Sequence, residues 1–508
     1  MSTPYEPPAH GFRTFLIVWF TQSISVFGSA LTFFAITIWL AQVLYPLPEQ
    51  RPELAASLAA ISLAFALPTV FGAPIAGAWA DRHDRKTTMV AMDFASGGLS
   101  LILLTLMAND LLPFWLLLVI VVLFAILGMF HGSAFDTSYS MLVPEKQLPR
   151  ANGMMQTIWS LSGILSPGIA AGLIALPGLA RQGLVPDPLR SVLAPLVNGT
   201  PVAIAIDAIT FMFAASVLLF LQIPSPKRSD LSSDGKPKKS MGADIKEGAL
   251  YIWQRRPLLW LLGTFTVANF AASPVGVFEP LITKFNLQPD WITRGFTFET
   301  ALALLASVGG IGGVVGGVFI STWGGLKRRR VYGVLVPMII AGLAQVLFGF
   351  SSLLFLTAAM AFVMNAMTPI MNAHSQAVWQ MQTPRELQGR VFAVRRVIAQ
   401  CTWPLSTALA GITGGLFNPG VVISVLGGIM VIFCTAQLFN PYLVRVEDKT
   451  WLDSLAANRG DVVIPGPADS GETQALTDAG DTVPFDEFPP GAVPSEGNPI
   501  ASPTANTR

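Results

Sequence analysis

The chain alternates between long apolar stretches and short polar ones. Twelve stretches of about 20 residues or more carry few charges, and this is the length that an α-helix needs to cross a bilayer core. They are numbered here as spans 1 to 12 and cover 13–43, 53–80, 87–108, 111–142, 150–178, 200–223, 258–283, 298–324, 330–350, 352–381, 389–417 and 420–443. Because lipid offers no hydrogen-bond partner to a backbone amide, each span is predicted to be helical. The expected fold class is an all-α membrane protein with twelve transmembrane helices.

The composition agrees with a membrane protein. Charged residues make up only 12% of the chain, whereas soluble domains contain about 25%. Both cysteines, Cys401 and Cys434, lie inside apolar stretches, so neither a disulfide nor a metal site is expected, and no cofactor is implied. Span 1 is too long for a signal-peptide core and lacks a basic leader, so it is expected to remain in the protein.

The distribution of positive charge predicts the orientation. An even number of spans places both termini on one side, and 26 of the 31 lysine and arginine residues fall on that side. The other side holds only Arg51, Arg181, Arg190, Lys284 and Arg294. Cytoplasmic loops are enriched in lysine and arginine, so both termini are predicted to be cytoplasmic in a multi-pass protein of the cell membrane.

An internal repeat divides the spans into two sets of six. Gly77 has a counterpart at Gly317, 240 residues later, and the pair Pro144 and Arg150 recurs at Pro384 and Arg390 with the same offset. Two independent anchors at one offset predict two halves in the same orientation, related by a pseudo-two-fold axis along the membrane normal. We expect an N-terminal half at 1–223 and a C-terminal half at 258–445.

Two segments lie outside the halves. The linker 224–257 is basic, and near 241–254 it is predicted to form an amphipathic helix with an apolar strip of Ala243, Ala249, Leu250 and Trp253. Such a helix suits the surface of an anionic membrane, with a plain solvated linker as the alternative. The tail 446–508 contains 11 acidic and 3 basic residues and much Pro, Gly and Ser, so it is predicted to be a disordered cytoplasmic extension.

The loop between spans 2 and 3 concentrates charge where the chain must turn at the water interface. Its pattern is G-x-x-A-D-R-x-D-R-K, and its conspicuous residues are Gly77, Asp81, Arg82, Asp84, Arg85 and Lys86. In this position the pattern resembles the signature loop of the major facilitator superfamily. The resemblance implies that Gly77 lets two helices approach closely and that the charged residues gate the cytoplasmic mouth. Asp93 and Asp136 are expected to join the network around Arg85.

Other motifs narrow the resemblance to the branch that contains macrolide-efflux proteins and the enterobactin exporter. They are Gln22–Ser29, Val143-Pro144-Glu145, Asp207–Phe211 and Gly389-Arg390-Val391, and the likeness covers about 12–445. It implies alternating access, export of a small amphipathic drug, antibiotic or siderophore in exchange for protons, and a monomer. Ser162, Gly163, Ser166 and Pro167 in span 5 are similar to an antiporter motif, although close helix packing explains them equally well.

Ionisable and polar residues inside the spans are candidates for coupling or substrate binding, because they are costly in lipid. Asp207 is the first candidate and Glu279 the second, with the alternative that Asp207 is a structural acid held by hydroxyl groups. His131 and His374 could titrate at physiological pH, but hydrogen-bonded packing is the simpler interpretation. Gln22, Ser25, Asn269 and Ser273 could line the cavity. Related antiporters carry an arginine in helix 4, where this chain has Gly128, and no Lys or Arg is predicted deep in a span.

Other functions fit the sequence less well. A nucleotide-binding glycine loop, a nucleophile–base pair and a metal cluster are all missing from the sequence, so an enzyme is not expected, and nothing indicates nucleic-acid binding. A channel, a transporter of lysophospholipids or other lipids, and an uptake symporter stay open as alternatives. A channel would not require a coupled acid.

Overall fold

The computed structural model describes residues 8, 10–80, 82–144, 147–223, 241–384, 387–448, 450–452 and 454, with the backbone alone at 140, 149, 156, 159 and 241–245. Asp81, linker residues 224–240 and the tail beyond 454 therefore lie outside the described residues.

The described chain is helical throughout its membrane-spanning parts. Its α-helices are α1 (Gly11–Trp39), α2 (Arg51–Ala80), α3 (Arg85–Ala108), α4 (Phe114–Leu142), α5 (Leu148–Arg181), α6 (Asp187–Leu193), α7 (Thr200–Phe220), α8 (Met241–Gln254), α9 (Arg256–Ala272), α10 (Val275–Leu281), α11 (Gln288–Thr293), α12 (Phe298–Trp323), α13 (Tyr332–Phe350), α14 (Leu354–Gln382), α15 (Gln388–Gln400), α16 (Thr402–Leu416), α17 (Pro419–Gln437) and α18 (Pro441–Val444). One π-helical turn, Leu40–Leu44, extends α1, and another, Ile282–Asn286, extends α10.

Among the described residues, eleven helical segments are long and apolar enough to cross a membrane, and they coincide with spans 1 to 10 and 12. Span 11 is divided into α15 and α16, which meet at Cys401. Pro404 has no N–H for the carbonyl of Gln400, so the helix ladder is interrupted there. A similar interruption at Pro274 separates α9 from α10 within span 7. Twelve spans are thus present, two of them divided.

The predicted repeat of the two halves is visible in the helix boundaries. Helices α4 and α14 begin 240 residues apart and end 240 residues apart, and the starts of α5 and α15 have the same separation. Consecutive spans run in opposite directions, so the connections fall at two ends. The terminal end contains residue 10, the loops 82–84 and 324–331, residues 383, 384 and 387, and α18. The opposite end contains the loops 45–50, 109–113, 182–199, 287–297, 351–353 and 417–418.

Buried apolar side chains show where the halves meet. At the opposite end one continuous core crosses between the halves, and it includes Leu54 and Leu103 from the N-terminal half with Phe278 and Ala410 from the C-terminal half. At the terminal end the described core residues form separate clusters, each belonging to one half. Since burial of apolar surface is the main favourable term in such contacts, the halves are joined at the opposite end.

The predicted linker helix is α8, and it packs against the C-terminal half. Tyr251 and Ile252 are fully buried in the core of that half, and Glu247 forms a 2.9 Å ion pair with Arg390 of α15. Gly248 lies against the backbone of Arg390. Trp253 of the predicted apolar strip is 63% exposed and thus accessible to a membrane surface, and contact of the strip with lipid stays a prediction.

Candidate functional site

The signature loop begins helix α3 and connects it to two others, α4 and α7. Asp84 caps α3 by accepting a 2.7 Å hydrogen bond from the N–H of Thr87. Arg85 is buried, and its Nη1 donates to the carbonyl of Thr137 in α4 at 2.8 Å. Lys86 donates to the carbonyl of Leu219 at the end of α7. Arg82 lies in the exposed turn, and Asp81 is outside the described residues.

The close helix approach that the sequence predicts at Gly77 is not present in this conformation. A Cβ built at Gly77 meets no described atom within 4 Å, and the same is true of its repeat counterpart Gly317. Both glycines lie near the terminal end of their helices, α2 and α12. The physical reason is that the shared core lies at the opposite end, so contact between the halves is made there.

Asp93 has partners other than those predicted. It is 2% exposed, and Gln22 of α1 donates to its Oδ2 at 3.0 Å. The Nε2 atom of His131 lies 3.3 Å from Oδ1, within ion-pair distance but outside hydrogen-bond geometry. The expectation that Asp93 joins Arg85 is corrected: three helices, α1, α3 and α4, bring a glutamine, a carboxylate and an imidazole together.

His374 has a different environment, although it lies at a similar depth in α14. Its Nε2 accepts a 2.9 Å hydrogen bond from the N–H of Leu326, and its Nδ1 lies 2.8 Å from the carbonyl of Ile370. The carbonyl requires Nδ1 to carry the proton, so the ring is the neutral tautomer. This histidine is the hydrogen-bonded packing residue that the sequence allowed.

Asp136 is exposed on α4, one turn or so from His131, and the charges of His131 and Arg396 act on its carboxylate. Arg396 belongs to α15 in the other half. Its neighbour Arg395 donates to Gln376 at 2.8 Å and to Ser375 at 3.1 Å in α14. Both arginines lie about two turns from the start of α15, at the terminal end, where the sequence analysis counted them among the basic residues.

Asp207 is held by hydroxyl groups from neighbouring helices. Ser29 of α1 donates to its Oδ1 and Ser100 of α3 to its Oδ2, each at 3.2 Å. The side chain is 1% exposed. Gly28 makes this crossing possible, because a Cβ there would lie 3.1 Å from the Asp207 Cα atom. The geometry matches the alternative in which Asp207 is a structural acid that joins α1, α3 and α7.

Glu279 contrasts with Asp207. Its Oε1 atom is buried and has no hydrogen-bond partner, although the residue as a whole keeps partial exposure. It lies on α10, the short helix after the break in span 7. An unpartnered carboxyl oxygen in an apolar setting is costly, so this residue is available to a proton or a cationic ligand.

The remaining candidates mostly join helices. Asn269 donates to the carbonyl of Ala399 at 2.7 Å, and Ser273 donates to the carbonyl of Asn269. Ser25 is buried on α1. Within the span 5 motif, Ser162 and Ser166 are buried, and Gly310 of α12 packs against the carbonyl of Gly163. Pro167 cannot donate to that carbonyl, which leaves it free for this close approach.

Backbone contacts fasten the halves at the opposite end. A Cβ at Gly411 would lie 2.6 Å from that of Ala59, and one at Gly415 would lie 2.8 Å from the Cα of Pro52. Arg51 of α2 donates to the carbonyl of Gly415 at 3.1 Å. The crevice along this crossing is lined by apolar residues and contains none of the candidate side chains.

Sequence comparison finds relatives among efflux proteins. Macrolide efflux protein A of Streptococcus pyogenes is 26% identical over 317 residues, which is 62% of this chain and 68% of the relative. The multidrug efflux pump Tap of Mycolicibacterium fortuitum is 27% identical over 359 residues, which is 69% of this chain and 79% of the relative.

Solved structures share the fold at low identity. An inward-facing, occupied bacterial homologue of the human lysosomal transporter Spinster superposes with a TM-score of 0.56 at 18% identity, over 90% of this chain and 96% of that chain. A variant of the nucleoside transporter NupG gives 0.57 at 13% identity, over 82% and 98%. The profile described as Major Facilitator Superfamily matches residues 18–400. The signature loop, the two six-span halves and this match agree, and the chain belongs to the Major Facilitator Superfamily.

Proposed function

We propose that this protein exports small amphipathic molecules, with drugs of the macrolide type as the first class to test, by alternating access in exchange for protons. The observation that carries the proposal is the single core that joins the halves at the opposite end, together with separate cores at the terminal end. Halves whose described residues share a core toward one end can rock about a central site. The names of the efflux relatives supply the substrate class.

The orientation follows from charge. With 26 of 31 basic residues at the terminal end, that end faces the cytoplasm. In that orientation the core shared by the halves lies toward the outside, which supports a state that receives its substrate from the cytoplasm. The signature-loop residues, including Asp81 and Arg85, and Asp136 on α4 would act when the terminal end closes. The protein works as a monomer, with the linker 224–257 between its halves.

Glu279 is the residue that we assign to substrate recognition. Its buried Oε1 has no hydrogen-bond partner, and a cationic amine would supply one while offsetting the cost of the buried charge. Many amphipathic drugs carry such an amine. Glu279→Gln should therefore weaken transport of a cationic macrolide more than transport of a neutral substrate.

The test uses the full-length protein in proteoliposomes with radiolabelled erythromycin, a cationic macrolide. An imposed pH gradient should drive erythromycin against its concentration gradient, and its addition should release protons from the protein. Glu279→Gln should raise KM for erythromycin, whereas Glu53→Gln, at an exposed carboxylate in the first turn of α2, serves as the control. Flux that never exceeds equilibration, with or without a pH gradient, would indicate a channel and refute coupled export.

A further inference from the structure

The two histidines of α4 and α14 occupy related places in the repeat but have opposite surroundings. His374 follows His131 by 243 residues, within one turn of the 240-residue offset. Asp93 has its repeat counterpart in Gly333, and the His374 ring packs directly over that glycine. One half therefore places a histidine on a glycine, and the other places a histidine beside a buried carboxylate.

The C-terminal half shows what a packing histidine needs. Both ring nitrogens of His374 are paired with backbone groups, the N–H of Leu326 and the carbonyl of Ile370. This ring therefore needs no carboxylate as a partner. In the N-terminal half, Nε2 of His131 is buried against Asp93, while the side chain keeps 17% of its exposure. Because Nε2 itself is buried, the exposure belongs to other atoms of the side chain. The residue thus lies beside a carboxylate and keeps a partly accessible surface.

The charges around this pair are few. Helix α1 contributes the neutral Gln22, which donates to Asp93, and α2 has no titratable side chain between Leu54 and Ala80. On α4 itself Asp136 is the next charge, and Arg396 of α15 acts on it from the other half. Arg85 of α3 donates to the carbonyl of Thr137, which lies six residues beyond His131 on α4. A buried carboxylate with one neutral donor needs a positive partner, and His131 can provide it by binding a proton at physiological pH.

We propose that the Asp93–His131 pair is the site where the N-terminal half binds the exchanged proton; this rests on the proposed proton-coupled export. A proton from water adds to the ring nitrogen that does not face Asp93, forming an N–H bond and an imidazolium whose charge the Asp93 carboxylate balances. Loss of that proton to water at the terminal end restores the neutral ring. Gln22 holds the carboxylate in place throughout.

The experiment compares full-length wild type, His131→Gln and Asp93→Asn in proteoliposomes, with erythromycin as the probe. Exchange of labelled for unlabelled erythromycin without a pH gradient reports on alternating access alone. Accumulation driven by a pH gradient, and proton release on adding erythromycin, report on coupling. Both variants should retain exchange and lose accumulation and proton release. His374→Gln is the matched control, and it should keep the coupling of the wild type.

Three outcomes separate the possibilities. If His131→Gln accumulates erythromycin and releases protons as the wild type does, the pair is not the proton site. If the wild type itself exchanges erythromycin without any proton linkage, the proposed function fails instead. Should a variant not fold, NMR titration of His131 in the wild type decides: erythromycin should displace its midpoint, and an unchanged midpoint overturns the proposal.

Discussion

Lys284 donates a 2.7 Å hydrogen bond to the carbonyl of Tyr45, across the boundary between the two halves. Its Nζ also bonds the carbonyl of Ala41 at 2.5 Å. Both carbonyls belong to the end of the first span, where a helix has unsatisfied acceptors and a partial negative charge. Lys284 of the C-terminal half therefore satisfies backbone carbonyls at the end of the first span of the N-terminal half. This contact requires the opposite end to be closed.

Replacing Lys284 by Met should favour opening of the opposite end. Hydrogen bonds to charged groups contribute about 1.5–3 kcal/mol each, so losing this contact should raise the open population roughly tenfold or more. Spin labels at the exposed loop residues Leu111 and Leu353, one on each half, should be farther apart in Lys284→Met than in the wild type. Double electron–electron resonance measures this distance. Arg190→Met removes an exposed cation at the same end and should not change the distance. An identical distribution in Lys284→Met would show that the contact does not hold the closed state.

Gly411→Ala should hinder closure by crowding the crossing of α2 and α16. The added methyl group would lie 2.6 Å from the Ala59 Cβ, and neither helix has a flexible side chain there that could move aside. Overpacking of this kind costs about 1–3 kcal/mol. Drug transport should fall while the protein still folds, which fluorescence-detected chromatography can verify. The control is Gly428→Ala, where a Cβ meets nothing within 4 Å; equal transport in the two variants would contradict the prediction.

Asp290 should make stability depend on pH in the acid range. It lies outside the spans on α11, where a hydrogen bond from Arg294, followed by one from the N–H of Leu354, lowers the pKa of its carboxyl. A lowered folded-state pKa stabilises the fold above the ordinary aspartate pKa of about 4 and loses that contribution as pH falls further. The difference in Tm between wild type and Asp290→Asn should therefore be present at pH 7 and shrink in acid.

The control for this pH effect is Asp110→Asn at the same end. Asp110 has a positive φ of 55°, a conformation that asparagine also tolerates. The Tm difference of this variant is measured over the same pH range as a reference. A constant difference for Asp290→Asn would rule out the carboxylate as the cause.

Asp207 should behave as a structural residue. Asp207→Ala would leave the hydroxyl groups of half-buried Ser29 and buried Ser100 without their acceptor, which costs about 1–3 kcal/mol and should lower Tm. Asp207→Asn keeps an acceptor and an amide that those hydroxyls can satisfy, so it should retain stability and pH-driven transport. Loss of coupling in a stable Asp207→Asn protein would instead make Asp207 a proton carrier.

The sequence predicted the span positions well because hydrophobic length is a direct physical requirement of the bilayer. Span 4 was predicted at 111–142 and is observed as Phe114–Leu142. The division of span 11 was missed because its second half is apolar enough to mask the polar Gln388–Gln400 before it. The role of Pro404 in that break becomes clear only with the helix boundaries known.

Partnerships between spans were harder to predict, since they depend on the rotation of each helix. Asp93 was expected near Arg85, eight residues away on the same helix. The sequence does not show which helices pack against each face of α3, so it could not identify the partners of Asp93. The hydroxyl groups around Asp207 and the contact of Lys284 with the first span come from distant segments. Only the packing of all the helices brings those residues together.

The division of span 11 has a mechanical consequence. Before Cys401, α15 is bound to the linker helix through Arg390 and Glu247; after it, α16 lies against α2 through Gly411. Because the ladder of hydrogen bonds is interrupted between them, the two segments can tilt by different amounts. A rigid rod would transmit every displacement of one membrane face to the other, whereas this hinge lets the portion at the terminal end follow the linker while the portion at the opposite end keeps its contact with α2.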